Sequence, residues 1–152
     1  MLEFTLKGRI RKVTMDDVEQ LKDYIFVLNT MDEVRERIRG NIEKMMKGEA
    51  VHLVAEVNGT VVGNLLLTFE RGNPEAAYIW DVVVVQVFRG TGLVHKLIDE
   101  ARKVAKQKGV KHLYTGAARS NIRAIKAYQR IGFKEYDSPL GEKDLVCLKM
   151  KI

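Results

Sequence analysis

The spacing of apolar positions changes several times along the chain, and each change predicts an element. In GRIRKV, residues 8–13, apolar and basic residues alternate as they do in a half-buried strand. Thr14 follows, with acids in the next turn, which is how a helix begins. Val18, Leu21, Tyr24, Ile25 and Leu28 then recur at helical spacing and predict an inward stripe. A second helix is predicted over about residues 32–47, with Val34, Ile38, Ile42, Met45 and Met46 inward and Gly48 closing it.

The period then drops to that of strands. AVHLVAEV and TVVGNLLLTFE flank Asn58-Gly59, the favoured two-residue hairpin turn. AYIWDVVVV, residues 77–85, is apolar enough to lie centrally in a sheet. Period-2 alternation puts Asp81 on the face of Ile79 and Val83, and Trp80 in the core on the other face. Leu93, Val94, Leu97, Ile98, Ala101, Val104 and Ala105 then fit one helix face that ends at Gly109. KHLYTGA is a further core strand. SNIRAIKAYQRIGF is a helix capped by Ser120 or Asn121 and closed by Gly132. KEYDS and KDLVCLKMKI are the last two strands, joined by a loop around Pro139-Leu140-Gly141. The order β-α-α-β-β-β-α-β-α-β-β describes a mixed α/β sheet with helices on its faces. Simple βαβ alternation is absent, so a doubly wound nucleotide fold fits poorly.

Composition narrows the class. The 152 residues, 46% apolar and 30% charged, suit one globular domain over residues 1–152. No apolar run is long enough to span a bilayer, and MLEFTLKGRIRK lacks a signal core. Cys147 is the only cysteine, so an intrachain disulfide is excluded, and the cytoplasm is the expected location. The net charge of +6 favours anionic partners, but acids and bases mix at helical spacing. That mixture describes solvated helix faces better than a nucleic-acid surface. His52, His95 and His112 are far apart, which argues against a metal site.

Candidate chemistry begins where VVVVQVFRGTG hands over to a helix. The first N–H groups of a helix lack intrahelical partners, and the macrodipole adds positive charge there. Glycines let a phosphate approach the backbone closely, and Arg89 adds a fixed charge. The P-loop spacing is absent, as is its Lys-Ser/Thr pair. The third glycine of a dinucleotide fingerprint is also missing. What is left is an R-G-x-G loop after an apolar strand, followed some thirty residues on by Asn121, Ala124, Tyr128 and Gly132-Phe133.

With both segments at this spacing, the chain resembles the GCN5-related N-acetyltransferase (GNAT) family over nearly its whole length. The resemblance implies a central, mostly antiparallel mixed sheet of six to seven strands with four helices. It also implies acetyl-CoA as cosubstrate, an amine acceptor on a small molecule or protein, and no metal. Homodimers are common in that family. By resemblance, the backbone of Val82, Val83 and Val84 would pair with the pantetheine arm. The N–H groups of Arg89, Gly90, Thr91, Gly92, Leu93 and Val94 would hold the pyrophosphate. Asn121 would contact the CoA arm, and Tyr128 would protonate the leaving thiolate, a job suited to a phenol. Val87, Gln86 and Val94 depart from the family's commonest residues at their positions.

The expected reaction is direct attack of a primary amine on acetyl-CoA in a ternary complex. Cys147 has no adjacent histidine in sequence to activate it for a covalent route. Two roles stay open for Asp81: general base, or satisfied structural acid within an apolar strand. Glu70 is the second candidate base. The competing function is a non-catalytic module of the same fold that binds acetyl-CoA or nucleic acid.

Overall fold

The computed structural model describes residues 6–138 and 143–152. The loop expected around Pro139-Leu140-Gly141 therefore lies outside the described residues. The elements run β1 (Gly8–Lys12), α1 (Val18–Tyr24), α2 (Met31–Met46), β2 (Ala50–Val57), β3 (Thr60–Phe69), β4 (Ala76–Val84), α3 (Leu93–Gln107), β5 (His112–Ala118), α4 (Ile122–Ile131), β6 (Lys134–Tyr136) and β7 (Leu145–Lys151). The strands make one sheet in the order β1-β2-β3-β4-β5-β7-β6. All neighbours are antiparallel except β4 and β5. The predicted element order and the central place of β4 are both found.

Helices cover the sheet from both sides because β2 and β3 are apolar on both faces. Val54 and Val61 join Val18, Leu21, Val34 and Ile38 beneath α1 and α2. Leu53, Ala55 and Val62 turn the other way, toward Leu97, Ile98, Ala101 and Ala105 of α3 and Tyr128 and Phe133 around α4. Each fully buried aliphatic side chain contributes roughly 1.5–3 kcal/mol to this arrangement. The β2–β3 hairpin turns at Asn58 and Gly59, whose φ of 50° and 82° are the left-handed pair that a type I′ turn requires.

Three positions expected on the inward stripes of the first two helices are on the surface. Leu28 is 97% exposed because α1 ends at Tyr24 and helical periodicity no longer applies there. Phe26 turns inward after the helix instead. Tyr24 lies half-exposed at the last residue of α1, and Met46 is exposed at the last residue of α2. Thr30 caps α2 by accepting from the Glu33 N–H, while the Glu33 carboxylate accepts from the Thr30 N–H, a reciprocal cap that the sequence reading missed.

Candidate active site

β4 and β5 run parallel for only three pairs, Ala76↔His112, Ala77↔Leu113 and Tyr78↔Tyr114. Beyond them the strands part. Near the start of the split, the Thr115 hydroxyl donates to the Ile79 carbonyl at 3.1 Å. On its other side β4 stays paired with β3 as far as Val84. Val82, Val83 and Val84 therefore present, among the described residues, a strand edge with no strand partner toward β5. A groove of about 320 Å³ runs along that edge, and Arg89, Val94, Asn121 and Tyr128 also line it.

At one end of this groove lies the Arg-Gly-Thr-Gly turn. Gly90 and Gly92 have φ of 78° and 83°, which side chains with a Cβ rarely adopt. Gly92 is the N-cap of α3 and supplies no capping side chain. Among the described residues, the N–H groups of Gly90, Thr91, Gly92, Leu93 and Val94 find no backbone carbonyl. The expectation fails at Arg89, whose N–H already donates to the Gln86 carbonyl at 3.1 Å because residues 86–88 form a 3-10 turn. The Arg89 side chain instead lines a 490 Å³ cavity beside the turn. Arg123 and Arg130 of α4 line that cavity too, and no acid does. Sequence reasoning missed both arginines. Their i,i+7 spacing on a helix capped by Asn121 was the available signal.

At the other end stands Tyr128, 7% exposed and edge-on to Phe133. Burial holds its phenol above the ordinary value of 10.0, and the neighbouring Thr115 hydroxyl partly opposes that. The phenol is therefore a proton donor at neutral pH. Asn121 uses its Oδ1 to accept from the Ala124 N–H at 3.2 Å. It is thus a helix cap, with its Nδ2 the group left to meet a ligand.

A second groove of about 370 Å³ adjoins the first on the side of the split nearer β5. Asp81, Trp80, Tyr78 and Thr115 line it, and it shares Val82, Asn121 and Tyr128 with the first. Asp81 has a φ of 52°, rare for a residue with a Cβ, inside the segment where the β3–β4 register slips between Asn64↔Val83 and Leu66↔Trp80. This bulge breaks period-2 alternation, so the expected sharing of a face by Ile79 and Asp81 fails. Ile79 enters the α3 side core, while the Asp81 carboxylate meets Arg37 of α2 at 3.4 Å. Trp80 is not in the core either. It is 52% exposed, and its indole N–H donates to the Thr68 hydroxyl at 2.8 Å. It stacks at 5.9 Å on Tyr78, which stacks at 5.2 Å on Tyr114.

Glu70 lines neither groove and sits beside the Tyr78 phenol, whose proton loss it opposes together with burial. Cys147 is a half-buried residue of β7 opposite Gly116 and Tyr136. Among the described residues, no group of three or more His, Cys, Asp or Glu could hold a metal ion. No helix among them is long and apolar enough to cross a membrane.

Comparison with known proteins gives concordant matches. The family model described as the acetyltransferase (GNAT) family matches residues 18–133. An uncharacterized N-acetyltransferase of Methanocaldococcus jannaschii is 32% identical over 144 residues, which take in 87% of this chain and 63% of that protein. An N-alpha-acetyltransferase of Sulfurisphaera tokodaii is 28% identical over 104 residues, 62% of each protein. The chain thus spans under two thirds of the length of these two relatives. In three dimensions the fold is similar to the PaiA N-acetyltransferase from Thermoplasma acidophilum, solved in complex with coenzyme A. The TM-score is 0.79 at 18% identity, covering 96% of this chain and 99% of that one.

Proposed function

This chain belongs to the GNAT acetyltransferase family, and from that premise we propose that it moves an acetyl group from acetyl-CoA to a primary amine. The observation that carries the reading is a groove that lines an open strand edge and a buried phenol. It shares Arg89 and Val94 with the cavity beside the uncapped glycine turn. The residues fit the cosubstrate they would hold. Unpartnered N–H groups at a helix N-terminus, with Arg89, Arg123 and Arg130 around a cavity that no acid lines, match a diphosphate. The free edge at Val82, Val83 and Val84 matches an arm of amides, which can add to a sheet as a strand does. Asn121 offers its Nδ2 to the same arm.

The chemistry needs two proton movements. As the amine nitrogen bonds to the acetyl carbon, the carbon–sulfur bond breaks. Asp81, beside the second groove, takes a proton from the amine, directly or through a water. Tyr128 gives its phenolic proton to the departing thiolate. Main-chain donors at the β4 bulge polarise the acetyl oxygen. Attack is direct, since Cys147 lines neither groove.

The relative named an N-alpha-acetyltransferase makes a peptide α-amine a reasonable first acceptor. The test pairs titration calorimetry of acetyl-CoA with a CoA-release assay. The amines are an alanine-initiated tetrapeptide, spermidine and tyramine. Binding together with amine-dependent CoA release is the expected result. Absence of acetyl-CoA binding by the folded protein overturns the proposal.

A further inference from the structure

Behind the β4 bulge, three buried polar side chains form a line that the chemistry above does not use. Asn41 of α2, His52 of β2 and Asn64 of β3 are 7%, 1% and 0% exposed. Asn41 Nδ2 lies 3.1 Å from His52 Nδ1. The amide nitrogen can only donate, so Nδ1 accepts and the ring proton sits on Nε2. His52 Nε2 then donates to Asn64 Oδ1 at 2.5 Å. That leaves the Asn64 Nδ2 to donate, and it does so to the Asp81 carbonyl at 2.9 Å. Every member has a defined direction, and no buried side-chain polar atom among the described residues lacks a partner.

The end point of the line gives it meaning. A residue at φ 52° within a strand is strained and persists only where its surroundings hold it. The carbonyl gripped by Asn64 belongs to that residue. The same residue lines the second groove, and the next one, Val82, borders both grooves. Apolar residues at positions 41, 52 and 64 would fill the same space without fixing the peptide. Burial also pushes the His52 imidazole to titrate below its ordinary value of 6.5, which keeps it neutral and the polarity of the line constant.

We propose that Asn64 is a positioning residue for acetyl transfer, and that His52 and Asn41 orient it. The line would fix the Asp81–Val82 peptide, and through it the Asp81 carboxylate and the main-chain donors facing the acetyl group. This inference rests on the proposed acetyltransferase reading.

The test uses Asn64→Asp, His52→Gln and His52→Leu. Asn64→Asp keeps size and the acceptor toward His52, and replaces the donor toward the Asp81 carbonyl with a carboxylate oxygen that repels it. It should lower kcat at least ten-fold while the acetyl-CoA Kd stays within two-fold. His52→Gln, whose amide can reach Asn64 as Nε2 does, should keep kcat within about three-fold. His52→Leu should lose it as Asn64→Asp does. The assay measures CoA release with the fastest of the three amines named above, and calorimetry gives Kd.

Should Asn64→Asp fail to fold, the two His52 variants decide alone, because a packing role would favour leucine over glutamine. An unchanged kcat in the Asn64 variant, a matching fall in kcat and acetyl-CoA affinity, or equal activity in both His52 variants overturns the proposal. A wild-type protein that neither binds acetyl-CoA nor releases CoA instead sinks the acetyltransferase reading itself.

Discussion

Arg37 on α2 stands 3.4 Å from the Asp81 carboxylate on β4, so the acid proposed as general base already has a cation beside it. The same guanidinium lies 4.6 Å over the Phe26 ring, which helps to hold it in place beside Asp81. Both side chains of the pair are more than a third exposed, and such a pair is worth at most about 1 kcal/mol. Arg37→Met should therefore raise kcat/KM for a cationic amine by no more than about five-fold, by releasing the carboxylate. Asp81→Asn should lower kcat by roughly 100-fold with acetyl-CoA affinity unchanged. Steady-state kinetics with calorimetry checks both. An Asp81→Asn enzyme with full kcat would make Asp81 a structural acid.

Tyr128→Phe keeps the ring that meets Phe133 edge-on and removes only the hydroxyl. We expect kcat to fall by about 100-fold and the acetyl-CoA Kd to move less than two-fold. The pH profile carries a second signature. Burial raises the phenol above 10.0, so it stays protonated, and Tyr128 should cause no alkaline fall of kcat below about pH 10. A limb that lies between pH 7 and 9 and vanishes in Tyr128→Phe would contradict this account.

The elements were legible because strand and helix periods differ clearly here, and because Asn58-Gly59 admits few structures. The groove residues were legible because the glycine turn and the segment from Asn121 to Phe133 resemble one family. Asp81 was misplaced for a specific reason. Nothing in AYIWDVVVV announces a residue at positive φ, and the bulge there turns Asp81 off the face of Ile79. Trp80 keeps the face opposite Ile79, stacked on Tyr78, but that face is exposed at this end of β4. The His52 line was invisible because its members are 11 and 12 residues apart and meet only when α2 lies over the sheet. Arg123 and Arg130 read as ordinary helix surface until α4 is seen beside the turn.

Three glycines separate backbone strain from space. Gly40, Gly90 and Gly92 all have open room where a Cβ would go. Gly40 lies within α2 at ordinary helical φ, so Gly40→Ala should stabilise the protein by about 1 kcal/mol. Gly90→Ala and Gly92→Ala force a Cβ into the left-handed region and should each cost roughly 1–2 kcal/mol. They should also weaken acetyl-CoA binding, because relief of the strain moves the open N–H groups. Thermal melts and calorimetry read the two effects separately.

Acid should weaken the fold in two windows, the first set by His52 and the second led by Asp17. Burial depresses His52 below 6.5, so the folded state resists its protonation. That contribution is present above about pH 6.5 and is lost as pH falls toward the folded value. Asp17 titrates lower. Burial alone would raise it, but two bonds from Arg11 at 2.7 and 2.8 Å and one from the Thr14 N–H at 2.8 Å pull it below 3.8. Its contribution holds above about pH 4 and disappears as pH drops through the folded value. Urea unfolding should show stability declining first below pH 6.5 and more steeply below 4. His52→Gln should abolish the first decline and leave the second. Asp17→Asn should leave the first decline, reduce but not abolish the second, because Glu56 and Glu33 are lowered too, and cost about 3 kcal/mol at pH 7, the low end for a broken buried pair. The low end applies because Arg11 keeps Glu56 as a partner at 3.2 Å. A single acid transition unchanged in both variants would assign the loss to other carboxylates.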